Sequence, residues 1–206
     1  MVGIQTRRSR HKEMLRQDIL DAARELFVTE GYENVSMRKI AERIDYSPTI
    51  IYHHFKDKAD LLYCLIEETF TKLLSTLNTL RSQTPDSLEC LKKSGVAFVN
   101  FGLEHPNHYK VAFLMPIRLA SESEKARYLS PDALGIMTFS YLKTLVAACI
   151  RQGRFRAIDV DLTTQSLFAT VHGLTAMLIV HQEFPWADQE RLIDYALDAA
   201  ISSYIQ

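Results

Sequence analysis

The sequence has little of what interrupts helices or cross-links small folds, with 7 glycines, 6 prolines and 3 cysteines among its 206 residues. Because 47% of the residues are hydrophobic and 24% are charged, the chain is neither collagen-like nor disordered, and its composition is typical of a soluble globular protein. The cysteines Cys64, Cys90 and Cys149 are far apart and have no CxxC spacing, which favours a reduced intracellular protein.

No targeting or membrane segment is evident. The basic first residues, MVGIQTRRSRHK, lead into no apolar run of signal-peptide length, and the later uncharged apolar runs are short. We therefore expect a cytoplasmic protein without a membrane partner. The formal net charge is −1, so any contact with nucleic acid has to be local.

Helical periodicity runs through the whole chain, and no segment alternates with a period of two between hairpin turns. The pattern predicts an all-α fold of about nine helices. They are expected from Met14 to Glu30, over MRKIAERI after Ser36, over TIIYHHF after Pro48, from Asp57 to the polar stretch at 81–87, and at about 87–104, 106–119, 131–152, 160–183 and 188–205.

The second and third of these helices are short and are joined by a tight turn, which is the plan of a helix-turn-helix. Ser36 and Ser47 stand at N-cap positions, and Pro48 suits a first helical turn. From the start of the third helix, Thr49, Tyr52 and His53 project to one side. Hydroxyl and imidazole groups at this place can contact phosphates and base edges in a major groove.

The first sixteen residues are strongly basic, because five basic residues stand against one acidic residue and give a local charge of +4. Such an arm is solvated and disordered when it stands alone. Next to a helix-turn-helix it is predicted to contact phosphates or a minor groove. The basic residues are Arg7, Arg8, Arg10, Lys12 and Arg16.

Residues 31–62, GYENVSMRKIAERIDYSPTIIYHHFKDKADLL, resemble the N-terminal signature of the tetracycline-repressor (TetR) family of bacterial regulators. The shared features are an aromatic residue after Gly, a Ser opening helix two, an Ile-Ala pair, a Ser before helix three, and Tyr-x-His-Phe followed by Lys-x-Lys and Leu. The resemblance implies an N-terminal three-helix bundle with the helix-turn-helix at residues 1–60. It also implies a larger helical domain for effector binding and dimerisation at residues 61–206.

The resemblance also implies which residues contact double-stranded DNA. The start of helix two would approach the backbone and a base edge, with Arg38 as the candidate base reader. Helix three would read bases at its start and grip phosphates or the groove wall further on. The implied contacts are Ser36, Met37, Arg38, Pro48, Thr49, Ile50, Tyr52, His53, His54 and Lys58. Asp45 replaces the usual turn glycine, which is tolerable because Asp adopts left-handed conformations, but it brings a negative charge near DNA.

Two later segments, HPNHYKVAF at 105–113 and LFATVHGL at 167–174, resemble a TetR subgroup with a Trp- or Val-His-Gly signature. In that subgroup the last two helices pair with those of a second subunit, and a cavity in each subunit receives a small molecule. The same helices here carry apolar and small residues, including Leu167, Leu178, Ile179 and Ala199, so we expect a homodimer with two-fold symmetry and a palindromic operator.

The effector is expected to be small and apolar or aromatic, because the candidate contacts on the later helices are mostly apolar. They are Phe98, Phe101, Phe113, Tyr141, Leu145, Phe168 and His172. His172 also suits a second interpretation, as a histidine satisfied within the core.

The sequence therefore predicts a DNA-binding repressor that an effector releases. No enzyme is expected, because Glu-x-x-His pairs, Gly-rich phosphate loops and G-x-S-x-G elbows are absent from the sequence. Neither a cofactor nor a metal is predicted, since the adjacent His53 and His54 would point about 100° apart on a helix. The alternative is a helical small-molecule-binding or protein-interaction protein with vestigial DNA reading.

Overall fold

The structure is a computed structural model that describes residues 2–115 and 122–205. Over most of these ranges the backbone is helical. Ten α-helices and no strand occur in these ranges, so the all-α prediction is confirmed. A 3₁₀ turn at Tyr32–Asn34 and a π-helical turn at Lys110–Leu114 interrupt the series. The helices are α1 Val2–Glu30, α2 Met37–Arg43, α3 Pro48–Tyr52, α4 Lys58–Gln83, α5 Ser87–Glu104, α6 Pro106–Tyr109, α7 Glu122–Leu129, α8 Leu134–Arg151, α9 Val160–Val180 and α10 Gln189–Ser202.

Several helix boundaries differ from the sequence-based expectation. Helix α1 begins at Val2 rather than near Met14, so the basic segment continues the first helix; no proline precedes Gly31 to stop it. Helix α7 was not predicted, and α8 begins at Leu134 rather than at residue 131. The expected helix at 106–119 is a four-residue α6 followed by the π turn, and its last four residues lie outside the described ranges.

Contacts between Cα atoms divide the chain into two compact units. The first contains residues 1–69 and 107–116, and the second contains residues 70–106 and 117–206. This geometric division differs from the functional division at residue 60 expected above, which stays a prediction. Helix α4 contributes residues to both units.

The first unit has a continuous apolar core. Its fully buried side chains come from α1, α2, α3, α4 and the segment between α3 and α4, and they include Phe27, Ile40, Ile51, Phe55 and Leu65. This core fixes α2 and α3 against α1, because helices this short obtain their stability from packing rather than from propensity.

Among the described side chains of this unit, one charged side chain is buried. Arg24 of α1 is only 5% exposed, and its guanidinium pairs with Glu68 of α4 and, at 2.5 Å, with Asp21. The side-chain amide of Gln17 donates to the Glu68 carboxylate at 3.3 Å. The pair therefore ties α1 to α4 with charged groups in addition to the apolar core.

The second unit is a bundle in which α5, α8, α9 and α10 pack against one another. Val99, Leu178, Ile193 and Leu197 form one of its buried clusters. Gly95 allows α5 and α10 to approach closely, since a Cβ atom there would lie 2.8 Å from a methyl carbon of Leu197. A larger residue at position 95 would therefore require the Leu197 side chain to move.

Two stretches, Lys125–Arg151 and Val160–Val180, are long and apolar enough to cross a membrane by length and composition. The sequence-based expectation was that no segment could span a membrane, because uninterrupted apolar runs are short. Single polar residues interrupt these runs but lower the mean hydropathy of each stretch only slightly. Core helices of soluble proteins meet the same criterion, and both stretches contact other helices of the second unit. The two stretches therefore carry no membrane assignment.

Candidate DNA-binding surface and ligand cavity

The short helices α2 and α3 are set by their caps and by the turn between them. The Ser36 hydroxyl accepts a hydrogen bond from the Lys39 amide at 3.1 Å, as expected for an N-cap. Pro48 occupies the first turn of α3 behind Ser47, whose side chain makes no capping bond. Asp45 has a φ of +57° in the connecting turn, so the left-handed conformation expected at this position is present.

Six of the ten predicted DNA contacts are exposed side chains on one short stretch of the first unit. Tyr52 is 55% exposed although it is aromatic, whereas Phe55 is fully buried and belongs to the core. These side chains are available to a partner without rearrangement of the core. The exposed residues are Ser36, Arg38, Pro48, Thr49, Tyr52 and His53.

The structure places the other four predicted contacts differently. Met37 is buried with Ile40 and Ala41 on the inner face of α2, so its side chain is part of the core and a contact with DNA through it is not supported. Ile50 and His54 are partly buried. The Lys58 ammonium donates to the Tyr32 carbonyl oxygen at 2.8 Å and lies 4.2 Å from the Tyr32 ring centroid, so it holds the start of α4.

Arg38, the candidate base reader, is exposed but already paired. Its Nε donates to the Glu42 carboxylate one turn later at 2.8 Å, and both side chains are more than half exposed. Exposed pairs of this kind contribute little to stability. The guanidinium therefore remains available to exchange this carboxylate for another acceptor.

The basic part of α1 lies beside the end of the helix-turn-helix. The guanidinium carbon of Arg16 is 5.1 Å from the Phe55 ring centroid. Burial lowers the pKa of His54, and the nearby charges of Lys12 and Arg16 lower it further. His54 is therefore favoured in its neutral form next to this basic cluster. Arg7 and Arg8 also belong to the predicted arm, but their side chains are not among those that the structure describes.

Asp45 allows conformation and charge to be tested separately. Asp45→Asn keeps a residue that tolerates the left-handed region and removes the negative charge, so we expect unchanged stability and DNA affinity raised by a few fold. Asp45→Ala removes the same charge but is expected to lower the free energy of unfolding by about 1–2 kcal/mol, since alanine is strained at this φ. Urea unfolding and fluorescence anisotropy with labelled DNA measure the two effects. Equal stability of both variants would contradict the conformational argument.

Within the described residues, no group of three or more His, Cys, Asp or Glu side chains is arranged to hold a metal ion. His53 is exposed whereas His54 is partly buried. The adjacent histidines therefore differ in environment.

The second unit contains a small cavity with an accessible volume of about 60 Å³. Helices α4, α5, α8, α9 and α10 contribute to its wall, and apolar side chains form most of it. This volume is below the range of about 300–1,000 Å³ that is typical of ligand pockets, so an organic ligand would have to displace side chains of the wall. The lining residues are Leu77, Leu91, Ser94, Gly95, Phe98, Thr138, Tyr141, Leu142, Leu167, Phe168, Val171, Leu197 and Ile201.

Three of the seven predicted effector contacts line this cavity, namely Phe98, Tyr141 and Phe168. Phe101 stacks edge-on against His105 and Leu145 is buried in the core. Phe113 belongs to the first unit, where it packs against Tyr109. His172 does not line the cavity, but its ring contacts two that do, those of Phe98 at 4.8 Å and Phe168 at 4.1 Å between centroids.

The polar part of the cavity wall is a small hydrogen-bonded group around Tyr141. The Tyr141 hydroxyl donates to the Leu77 carbonyl oxygen of α4 at 2.8 Å. The Ser94 hydroxyl lies 3.0 Å from the same oxygen atom of Tyr141, and the Cys90 sulfur lies 3.8 Å from it. Burial raises the pKa of Tyr141 to about 12, so its hydroxyl is neutral at physiological pH.

Sequence reasoning missed Ser94 and Gly95 because it searched for aromatic and large apolar residues. A signal was present, since Leu91, Ser94, Gly95 and Phe98 follow the i, i+3, i+4, i+7 spacing of one helix face. All four line the cavity. Small residues on such a face are therefore as informative as large ones.

His172 provides a pH-dependent component of stability. Burial lowers its pKa from the ordinary 6.5 to about 4. Between these values the unfolded chain binds a proton that the folded chain does not, so the free energy of unfolding falls as pH falls below 6.5 and is fully retained above it. From pH 7.5 to pH 5 the expected loss from this group is about 2 kcal/mol.

Urea unfolding of the wild type and of His172→Phe at these two pH values measures this component. Phe retains an aromatic ring between Phe98 and Phe168 but binds no proton, so the wild type is expected to lose about 2 kcal/mol more than the variant. Identical losses in both proteins would show that His172 is solvated in the folded state.

An exposed, largely apolar face remains on α9. Leu162, Ala169, Gly173, Met177 and Val180 lie on it at helical spacing and are exposed. Leu167, Leu178 and Ile179, which the sequence suggested for pairing between subunits, are instead buried within the protomer. On α10, Tyr195 is 76% exposed. Apolar surface that follows one face of a terminal helix pair is typical of an interface.

Comparisons with known proteins agree with this architecture. Residues 19–63 match the family model described as bacterial regulatory proteins, tetR family, and residues 91–200 match the tetracyclin repressor-like C-terminal domain. The HTH-type transcriptional regulator SAR2658 of Staphylococcus aureus (strain MRSA252) is 31% identical over 90 residues, which cover 44% of this chain and 49% of that protein. The match thus spans about half the length of this relative.

Solved structures share the fold at low sequence identity. The transcriptional regulator FadR from Bacillus subtilis, in complex with stearoyl-CoA, superposes with a TM-score of 0.78 at 20% identity, covering 90% of this chain and 97% of that one. A tetR-family regulatory protein from Rhodococcus RHA1 gives a TM-score of 0.77 at 20% identity, covering 92% and 96%. Since the C-terminal model alone matches more than half of the sequence, the chain belongs to the TetR family of bacterial regulatory proteins.

Proposed function

We propose that the protein is a transcriptional repressor that binds a palindromic DNA operator as a homodimer and is released by a small apolar or aromatic effector. The observation that carries DNA binding is the exposed set on the helix-turn-helix, where Arg38, Thr49, Tyr52 and His53 project without any role in the core. Polar and aromatic groups in this position suit base edges and phosphates. Residues 1–60 are the proposed DNA-binding part, and residues 61–206 are proposed to bind effector and partner subunit.

The exposed contacts divide into two roles in this proposal. Arg38 reads a base edge, because a guanidinium can make two parallel hydrogen bonds to guanine. Thr49 and Pro48 face bases from the start of α3, while Tyr52 and His53 contact the backbone or the groove wall. Lys58 is reassigned to positioning, since it bonds the Tyr32 carbonyl oxygen. Relatives named as transcriptional regulators support a role in regulation rather than in catalysis.

The homodimer is proposed to form through the exposed face of α9 together with α10. Helix-interior glycine is unfavourable by about 1 kcal/mol relative to alanine, yet Gly173 stands at the centre of this face. A Cβ atom at Gly173 would meet nothing within 4 Å among the residues that the structure describes, so no contact with them requires glycine there. We infer that position 173 is glycine because a second subunit approaches the α9 backbone closely there.

The effector is proposed to bind in the cavity of the second unit, whose wall is almost wholly apolar. A neighbour of the same fold was solved with stearoyl-CoA, which contains a long apolar chain. Binding is expected to act on α4, since Leu77 of this helix lines the cavity and accepts the Tyr141 hydrogen bond. A ligand that favours a different α4 position lowers the population of DNA-competent dimers, with a coupling of about 1–3 kcal/mol. The proposed location is the bacterial cytoplasm, where the DNA is.

Selection of bound sequences from a random double-stranded oligonucleotide library tests the proposal. We expect the wild type to enrich one palindromic site, whereas Arg38→Ala/Tyr52→Ala, which changes only exposed side chains, enriches none. The logarithm of affinity for the selected site should fall with the logarithm of salt concentration by about 0.9 per neutralised phosphate. Absence of enrichment together with a flat salt response would instead favour a helical binding protein with vestigial DNA reading.

A further inference from the structure

The cavity offers very few polar groups to a ligand. Of its thirteen lining residues, ten are apolar or glycine, and the three polar ones all carry hydroxyls: Ser94, Thr138 and Tyr141. No lining side chain is charged at neutral pH. Arg81 approaches Tyr141 from α4, with its guanidinium carbon 5.9 Å from the ring centroid, but it is not part of the cavity wall.

The protons of these three hydroxyls are all committed within the protein. Tyr141 has one hydroxyl proton, and it donates that proton to the Leu77 carbonyl oxygen, which can only accept. Ser94 therefore has to be the donor in its 3.0 Å hydrogen bond with Tyr141. Thr138 donates to the Leu134 carbonyl oxygen of its own helix at 2.7 Å.

This arrangement leaves the cavity with acceptors but without donors. The oxygen of Ser94 is the clearest acceptor, because the residue is only 5% exposed and lines the cavity. Its lone pairs receive no hydrogen bond within the described part of the chain. A ligand carbonyl, ether or carboxylate would find no proton there, whereas a ligand hydroxyl would find an acceptor. Burying an unpaired carboxylate would be especially unfavourable.

We propose that the cavity selects an uncharged molecule with an apolar body and one hydroxyl group, a phenol or an alcohol, whose O–H donates to Oγ of Ser94. This inference rests on the proposed effector site and adds the chemistry of its ligand. The ligand hydroxyl, Ser94, Tyr141 and the Leu77 carbonyl group then form a continuous chain of hydrogen bonds that ends on the backbone of α4. The group that recognises the ligand is thereby bonded to the helix proposed to respond to it.

Isothermal titration calorimetry of the full-length protein with four matched probes tests the proposal. The probes are 4-propylphenol, 4-propyltoluene, which has the same shape without the hydroxyl, 4-propylanisole, which can only accept, and 4-propylbenzoate, which is an anion. The readout is the ratio of the toluene Kd to the phenol Kd in each protein. Because the ratio compares two ligands in the same protein, it does not depend on the overall stability of a variant.

We expect Ser94→Ala to lower this ratio about tenfold, the effect of one net hydrogen bond of about 1.4 kcal/mol. Thr138→Val removes another cavity hydroxyl and is expected to leave the ratio within about twofold. Tyr141→Phe frees the Ser94 proton, so binding of 4-propylanisole relative to 4-propylphenol should improve. The benzoate is expected to bind at least about a hundredfold more weakly than the phenol.

The outcomes separate this inference from the proposed function. If all uncharged probes bind and release DNA but Ser94→Ala does not change the ratio, the hydroxyl assignment is overturned while the effector cavity stands. Tighter binding of the benzoate than of the phenol would likewise overturn it. If no probe binds, both the ligand class and the proposed effector site are wrong.

Discussion

Gly173→Gln is expected to convert the proposed dimer into a folded monomer and to reduce operator affinity by at least about a hundredfold. A glutamine side chain fits the isolated protomer, because nothing lies within 4 Å of the Cβ position at Gly173. Glutamine is also a better helix former than glycine by close to 1 kcal/mol, so the protomer itself is not weakened. The loss of affinity follows from losing the link between two half-sites, which typically accounts for a factor of about 10²–10⁴.

Analytical ultracentrifugation gives the mass in solution, circular dichroism checks the fold, and fluorescence anisotropy gives the operator affinity. Ser75→Gln is the matched control, since it places the same neutral side chain on an exposed position of α4. The control is expected to remain dimeric and to bind DNA normally. A dimeric Gly173→Gln with unchanged affinity would show that the subunits do not meet through this face of α9.

The second large effect is expected at Arg24, the buried cation that joins α1 to α4. Arg24→Met removes the guanidinium that pairs with the Glu68 carboxylate, at a site where the Glu68 side chain is only 19% exposed. Removing one partner of a buried pair typically costs about 3–5 kcal/mol. We expect about 3 kcal/mol here, because the Gln17 amide still donates to Glu68.

The double variant Arg24→Met/Glu68→Leu removes both charges and replaces them with apolar side chains of similar size. Its stability is expected to be close to that of the wild type, as found for buried ion pairs replaced as a unit. Urea unfolding of the two single variants and the double variant measures the coupling between the residues. Additive losses would mean that the two side chains are solvated separately and do not interact.

The helix-turn-helix could be predicted from local chemistry because each of its elements is specified by neighbours in sequence. Ser36 caps α2 and Pro48 opens α3, and both do so in the structure. The left-handed turn expected at Asp45 is also present. The burial of Met37 could not be predicted, because a residue just after an N-cap can face either side, and here it completes the buried face with Ile40 and Ala41.

The cavity was harder to predict because its walls come from five helices that are distant in sequence. Tyr141 and Leu145 are one turn apart on the same face of α8. Helical periodicity therefore cannot show which of the two lines a cavity and which packs in the core. The structure places Tyr141 at the cavity and Leu145 in the packed core. Phe113 lies in the other compact unit, which no pattern within its own segment could indicate. Tertiary packing, rather than local propensity, decides these positions.

The ion pair between Arg38 and Glu42 affects how the proposed regulator would search for its site. If Arg38 contacts DNA as proposed, Glu42 would repel the phosphates of random DNA and hold the guanidinium, which would shorten each nonspecific encounter. At the proposed operator, a guanine edge with two acceptors would replace the carboxylate, so Arg38 would leave Glu42 only at a sequence that offers such an edge. Glu42 would thus lower the overall affinity for DNA, and it would shorten the residence time at nonspecific sites, so that the protein reaches its operator sooner.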